Sequence, residues 1–126
     1  LDPSFAIVWR NLGVASFNIL KRPDLARTAY AKACRAAPDD ARLFYERDQL
    51  DARLRVSPLK RLRAIERRHD LVAQREDICL ELAALYNQTG RPDRARTLLD
   101  SRKFLPWEGG EGQRIAQHVR AELLLG

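Results

Sequence analysis

The 126-residue chain has no methionine, two cysteines and two histidines, and aromatic residues make up only 7% of it. Each shortage closes off a class of protein. Cys34 and Cys79 stand 45 positions apart with no histidine at ligand spacing. A disulfide framework is therefore not expected, nor is a zinc site, which needs about four converging donors. Both cysteines fall on predicted helices as small core residues, and a reducing, cytoplasmic compartment is the expectation. His69 and His118 are isolated and read as surface or edge residues. No apolar run approaches the ~20 residues that cross a bilayer. There is no Gly-x-x-x-x-Gly-Lys phosphate loop and no Gly-x-Ser-x-Gly elbow, so no cofactor and no catalytic residue is expected and the chain reads as a non-enzyme. The opening Leu1-Asp2-Pro3-Ser4 lacks an initiating methionine and the basic-then-apolar layout of a secretory signal. It reads as part of a longer chain.

What is present is a folding composition, 45% hydrophobic and 32% charged, in a chain long enough to bury roughly two thirds of its unfolded surface. Its strongest internal signal is a repeat. Arg22-Pro23-Asp24-Leu25-Ala26-Arg27-Thr28 and Arg91-Pro92-Asp93-Arg94-Ala95-Arg96-Thr97 agree at six of seven positions, 69 residues apart, one more than twice 34. The string has a physical role. Proline suits the first turn of a helix, where its missing N–H costs nothing. The aspartate after it faces the positive end of the helix dipole. The alanine lets a neighbouring helix approach closely. Before each string lies an apolar stripe at helical spacing: Val8, Trp9, Leu12, Ala15 and Ile19 in one case, Ile78, Leu82, Leu85 and Tyr86 in the other.

Helix, short turn, helix, about 34 residues with a closing proline: the pattern resembles the tetratricopeptide repeat (TPR). Trp9, Leu12-Gly13, Ala26, Tyr30 and Pro38 carry the resemblance in the first unit, and Leu82, Ala83, Tyr86, Ala95 and Leu99 in the third. The middle unit rests on Leu43, Leu50 and Leu54, then on a Ser57-Pro58 helix start followed by Leu59, Leu62 and Ile65. The expected architecture is all-α, a TPR-like α-solenoid of antiparallel helix pairs with about seven helices, forming a single domain. Repeats are expected over about 4–38, 39–72 and 73–106, with a half repeat at 112–126. A last helix without a pairing partner should leave apolar surface, so self-association through Ile115, Val119 and Leu123 is expected.

From Leu71 onward the resemblance narrows. Leu82-Ala83-Ala84-Leu85-Tyr86-Asn87-Gln88-Thr89-Gly90-Arg91-Pro92 and Arg102-Lys103-Phe104-Leu105-Pro106-Trp107-Glu108-Gly109-Gly110-Glu111-Gly112 are similar to a large bacterial family of unknown function. In that family a TPR array follows an N-terminal β-rich, mutarotase-like region. The resemblance implies that any active site lies in a part of the protein other than this one.

Two further features invite a function. The loop carrying Trp107, Glu108 and Glu111 is either a glycine-rich connector whose Glu111 faces a helix start, or a ligand loop offering a sugar platform with two acceptors. The segment from Arg53 to Arg68 carries seven basic residues and one acidic, and the rest of the chain balances at 16 of each, so it holds the whole net charge of +6. No aromatics interleave with it, and most of its charges lie off the apolar stripe, so it reads as a solvated face rather than a nucleic-acid site. In TPR-like proteins the first helices line a groove. The resemblance implies that Arg10, Asn18, Tyr45, Gln49, Arg53, Asn87 and Gln88 face it, although Val14 stands where an asparagine of a carboxylate clamp would. The function expected is a non-catalytic scaffold or interaction module. Its partner would be a protein or peptide, or a β-rich domain of the same protein, with no membrane partner. The alternative is an accessory part of a carbohydrate-active enzyme.

Overall fold

The computed structural model describes residues 4–104 and 110–126. Every regular element among them is an α-helix: α1 (Ser4–Asn18), α2 (Pro23–Ala36), α3 (Ala41–Arg53), α4 (Pro58–Glu66), α5 (His69–Val72), α6 (Glu76–Gln88), α7 (Pro92–Asp100) and α8 (Gly110–Leu125). The all-α expectation is met, with one helix more than the seven expected. The addition is α5, a single turn between two longer helices. The helices fall into two compact units, Leu1–Val56 and Ser57–Gly126.

The backbone repeats as the sequence does. Three helices, α2, α4 and α7, begin with a proline in the first turn, at residues 23, 58 and 92, intervals of 35 and 34. Each preceding long helix ends at a left-handed residue: Lys21 (φ 54°), Arg55 (φ 62°) and Gly90 (φ 82°), spaced by 34 and 35. The next amide then folds back onto the helix end, Arg22 N–H to Ser16 O (2.8 Å), Val56 N–H to Asp51 O (3.0 Å) and Arg91 N–H to Tyr86 O (2.8 Å). These bonds satisfy carbonyls that a helix end leaves open. Gly90 takes this conformation without penalty, whereas Lys21 and Arg55 each carry a cost of about 1 kcal/mol.

Helix starts share a second device. Arg22, Arg68, Arg75 and Arg91 occupy the cap positions of α2, α5, α6 and α7, with an aspartate two residues later. Arginine cannot accept from the open amides, so the aspartate meets the dipole, and at Arg22, Arg68 and Arg75 the guanidinium forks onto the aspartate. The paired distances are 3.2 and 3.0 Å at Asp24, 3.1 and 2.9 Å at Asp70, and 3.0 and 2.8 Å at Asp77.

In the first unit α1 packs on α2 and α2 on α3. The contact face of α1 is small: Ala6, Gly13 and Ser16 are buried, opposite buried Ala26, Ala29 and Ala33. Ser16 satisfies its hydroxyl by donating to Leu12 O at 2.7 Å. The stripe expected to be buried is turned the other way. Val8, Leu12 and Ile19 are exposed, Ala15 is half-buried, and Trp9 packs partly against Ala6, Ala33, Ala36 and Leu43. Close helix approach requires small residues, so the larger apolar ones face outward.

In the second unit α6 is central, packed by α4, α5, α7 and α8. Ile78, Cys79, Leu82, Ala83, Leu85 and Tyr86 of α6 are buried with Leu62, Ile65, Leu71, Ala95, Leu99 and Ala121. Arg61 departs from the solvated-face expectation: it is only 8% exposed and ion-paired with Glu81. Leu59, expected on the buried stripe, is exposed. Ile115, Val119 and Leu123 are exposed along α8 as expected.

Candidate functional site

Five of the seven residues expected in the groove converge. A cavity of about 220 Å³ in the first unit is lined by Arg10, Asn18, Tyr45, Gln49 and Arg53, together with Gly13, Val14, Phe17, Tyr30, Glu46 and Leu50. Residues 10, 14, 17 and 18 recur at helical spacing and bring one face of α1 to the cavity, as residues 45, 46, 49, 50 and 53 do for α3. The floor is apolar, because Ala26, Tyr30 and Leu50 form a buried cluster against which Val14, Phe17 and Leu54 pack.

The two arginines differ in availability. Arg10 is taken: its Nε donates to Glu46 Oε1 at 2.6 Å and its Nη2 to Glu46 Oε2 at 2.8 Å. That forked hydrogen bond is the main cause of the raised Arg10 pKa and of the lowered Glu46 pKa, with Arg42 adding to the latter from 3.5 Å. Burial, reinforced by Glu46, pushes the Tyr30 hydroxyl up. Arg53 is exposed, with its guanidinium 5.8 Å from the centre of the Phe17 ring, a cation–π arrangement. No carboxylate of the described residues lies within ion-pair distance of it. The cavity therefore offers an apolar floor, amide groups from Asn18 and Gln49, and one uncompensated cation on an aromatic platform.

The Glu46 shift has a signed consequence. A carboxylate held below its ordinary value near 4.5 adds stability above that value, and the contribution fades as pH falls through the folded pKa. An NMR titration should place the Glu46 midpoint below its ordinary value, and Arg10→Gln should return it toward that value. A Glu46 midpoint unchanged by Arg10→Gln would mean that the fork does not persist in solution.

The other two expected groove residues belong to the second unit. Asn87 is buried and donates through Nδ2 to Gln117 O (3.1 Å) and Gln117 Oε1 (3.0 Å), tying α6 to α8, while Gln88 is exposed. Of the glycine-rich loop, Trp107 and Glu108 lie outside the described residues. Glu111 sits in the first turn of α8 and accepts from Arg114 Nη2 at 3.0 Å. Cys34 and Cys79 are free thiols, both pushed up mainly by burial. His118 lies 3.2 Å from Asp100. No three potential metal ligands cluster among the described residues, and no described helix is long and apolar enough to cross a membrane.

Sequence reasoning missed Glu46 and the wall formed by Tyr30 and Gly13. Glu46 lies 36 residues from Arg10, close to one repeat. Opposite charges one period apart on successive first helices were the available signal. No family model matches the chain, and no solved structure matches it.

Proposed function

We propose that this chain is a non-catalytic, TPR-like interaction module that binds an extended segment of a protein partner in the first-unit cavity. The observation that carries the reading is Arg53, a cation seated on Phe17 and left without a carboxylate at the edge of an apolar, amide-lined cavity. A side-chain or terminal carboxylate beside an aliphatic or aromatic residue complements that arrangement. The recurrence of left-handed stops and proline starts at 34 or 35 residues supports a repeat architecture of TPR type. Two separated thiols of raised pKa suit a reducing, cytoplasmic setting.

The test is a peptide library of acidic–apolar sequences, with affinities read by calorimetry. Arg53→Glu should weaken the best ligand at least tenfold, about 1.4 kcal/mol. Arg63→Glu, which makes the same charge change at an exposed position of α4, should leave it within about twofold. Equal losses from both variants would replace the cavity with a diffuse electrostatic attraction, and no binding to any acidic–apolar peptide would overturn the reading.

A further inference from the structure

The outward face of α1 is patterned as well as apolar. Phe5, Val8, Leu12, Ala15 and Ile19 follow one another at spacings of three, four, three and four, the a/d seam of a paired helix. Ile19 belongs to it because its N–H still bonds Ala15 O at 2.9 Å. In an ordinary globular domain such a seam faces inward; here the inward face is the separate set of Ala6, Gly13 and Ser16. Phe5, Val8, Leu12 and Ile19 are 54, 61, 47 and 76% exposed.

We infer that this seam pairs with the same seam of a second copy of the chain, antiparallel about a two-fold axis between Val8 and Leu12. Three observations select that occupant. The first is charge. Arg10 is the one charged residue of α1, and it is held by Glu46 away from the seam. Asn11 and Asn18 flank the seam on its open side, and Trp9 and Ser16 on the other are half-buried and buried. The seam itself carries no charge, and the ammonium of Lys32 that borders it is held over the Trp9 ring at 4.3 Å. The second is area. At ~200 Å² for a large side chain, the exposures of Phe5, Val8 and Leu12, which the antiparallel register pairs, leave roughly 320 Å² of apolar surface. A standard interface takes about 800 Å² from each partner, a little over half of it apolar, so the paired layers of α1 supply roughly seven tenths of that apolar share, as suits a weak, concentration-dependent dimer. The third is shape. The antiparallel arrangement sets Phe5 against the partner's small Ala15 and Val8 against its Leu12, so volumes alternate. A parallel pairing would stack two phenylalanines at one layer and leave a gap between two alanines at another.

Light scattering over a dilution series from about 1 mM to about 1 µM should show the mass falling from near twice 14.5 kDa toward 14.5 kDa. Val8→Glu and Leu12→Lys should each shift the midpoint at least tenfold toward the monomer while leaving the helical circular dichroism unchanged, since both positions are exposed. Mixing the two variants should restore pairing, because the antiparallel register sets the new acid against the new base in one layer and keeps a Val–Leu layer in the other. A monomer across the whole range overturns the inference. So does dimerisation lost through Val119→Glu on α8 but kept in Val8→Glu, or a mass that keeps growing with concentration, the mark of head-to-tail contacts. Failure of the mixture to recover overturns the antiparallel register.

Discussion

Gly13→Val is expected to lower the thermal unfolding midpoint by roughly 10 °C or more, and to abolish peptide binding with it. A Cβ built on Gly13 would lie 2.7 Å from Tyr30 Cδ2 and 2.9 Å from Cε2. The Tyr30 ring is buried against Ala26 and Leu50 and has little room to retreat. On an exposed helix, alanine in place of glycine would gain about 1 kcal/mol of intrinsic propensity. Here overpacking opposes that gain at about 1–3 kcal/mol. Gly13→Ala should therefore be mildly destabilising, and Gly13→Val, bulkier and stiffer at χ1, clearly so. Because Tyr30 also lines the cavity, displacing it alters the proposed binding surface. The double variant Gly13→Val with Tyr30→Leu should recover part of the loss, since the two positions share one contact. A Gly13→Ala protein more stable than the parent would show that the ring gives way freely.

The second large effect concerns the other unit. Leu82→Ala is expected to cost about 3–4 kcal/mol, the usual range for a fully buried leucine. Leu82 is 1% exposed on α6, the helix on which α4, α5, α7 and α8 all pack. A small unit has a total stability of only about 5 kcal/mol to spend. Urea melts should therefore show the Leu82→Ala variant close to its midpoint without denaturant. Leu59→Ala is the control. Leu59 shares a helical stripe with Leu62 and Ile65, yet it is exposed, and its loss should fall within about 0.5 kcal/mol. Comparable losses from both would contradict the burial pattern of this unit.

These two cases mark how far the sequence could be read. The helix starts were legible because Pro23, Pro58 and Pro92 act locally, through a fixed φ and a missing donor. The stop at Gly90 was legible for a similar reason. The break at Lys21-Arg22-Pro23 was legible too, but the left-handed conformation of Lys21 and Arg55 was not, because a left-handed lysine or arginine leaves no compositional trace. Periodicity located an apolar face on α1 but chose the wrong one to bury. Hydrophobicity counts favour Val8 and Leu12, whereas close packing on α2 favours Ala6, Gly13 and Ser16. The five residues that line the cavity were named on the TPR resemblance, which implies a helix face for each of them, and not on composition or charge. The Arg10–Glu46 fork did not, because it depends on how two helices 36 residues apart are juxtaposed.

The arginine pins at the helix starts bear on how the molecule meets its surroundings. Nineteen of the 23 basic residues are arginines. At Arg22, Arg68 and Arg75 the guanidinium is folded onto an aspartate two residues away, and Arg10 and Arg61 are matched by Glu46 and Glu81. Charges neutralised this near their source contribute local dipoles, whose reach dies away faster than that of separate ions. Such pairs already cancel within the count that gives an isoelectric point near 9.9, so what a distant polyanion or a cation exchanger feels is the remaining excess of six positive charges, which matches the surplus of the Arg53–Arg68 segment.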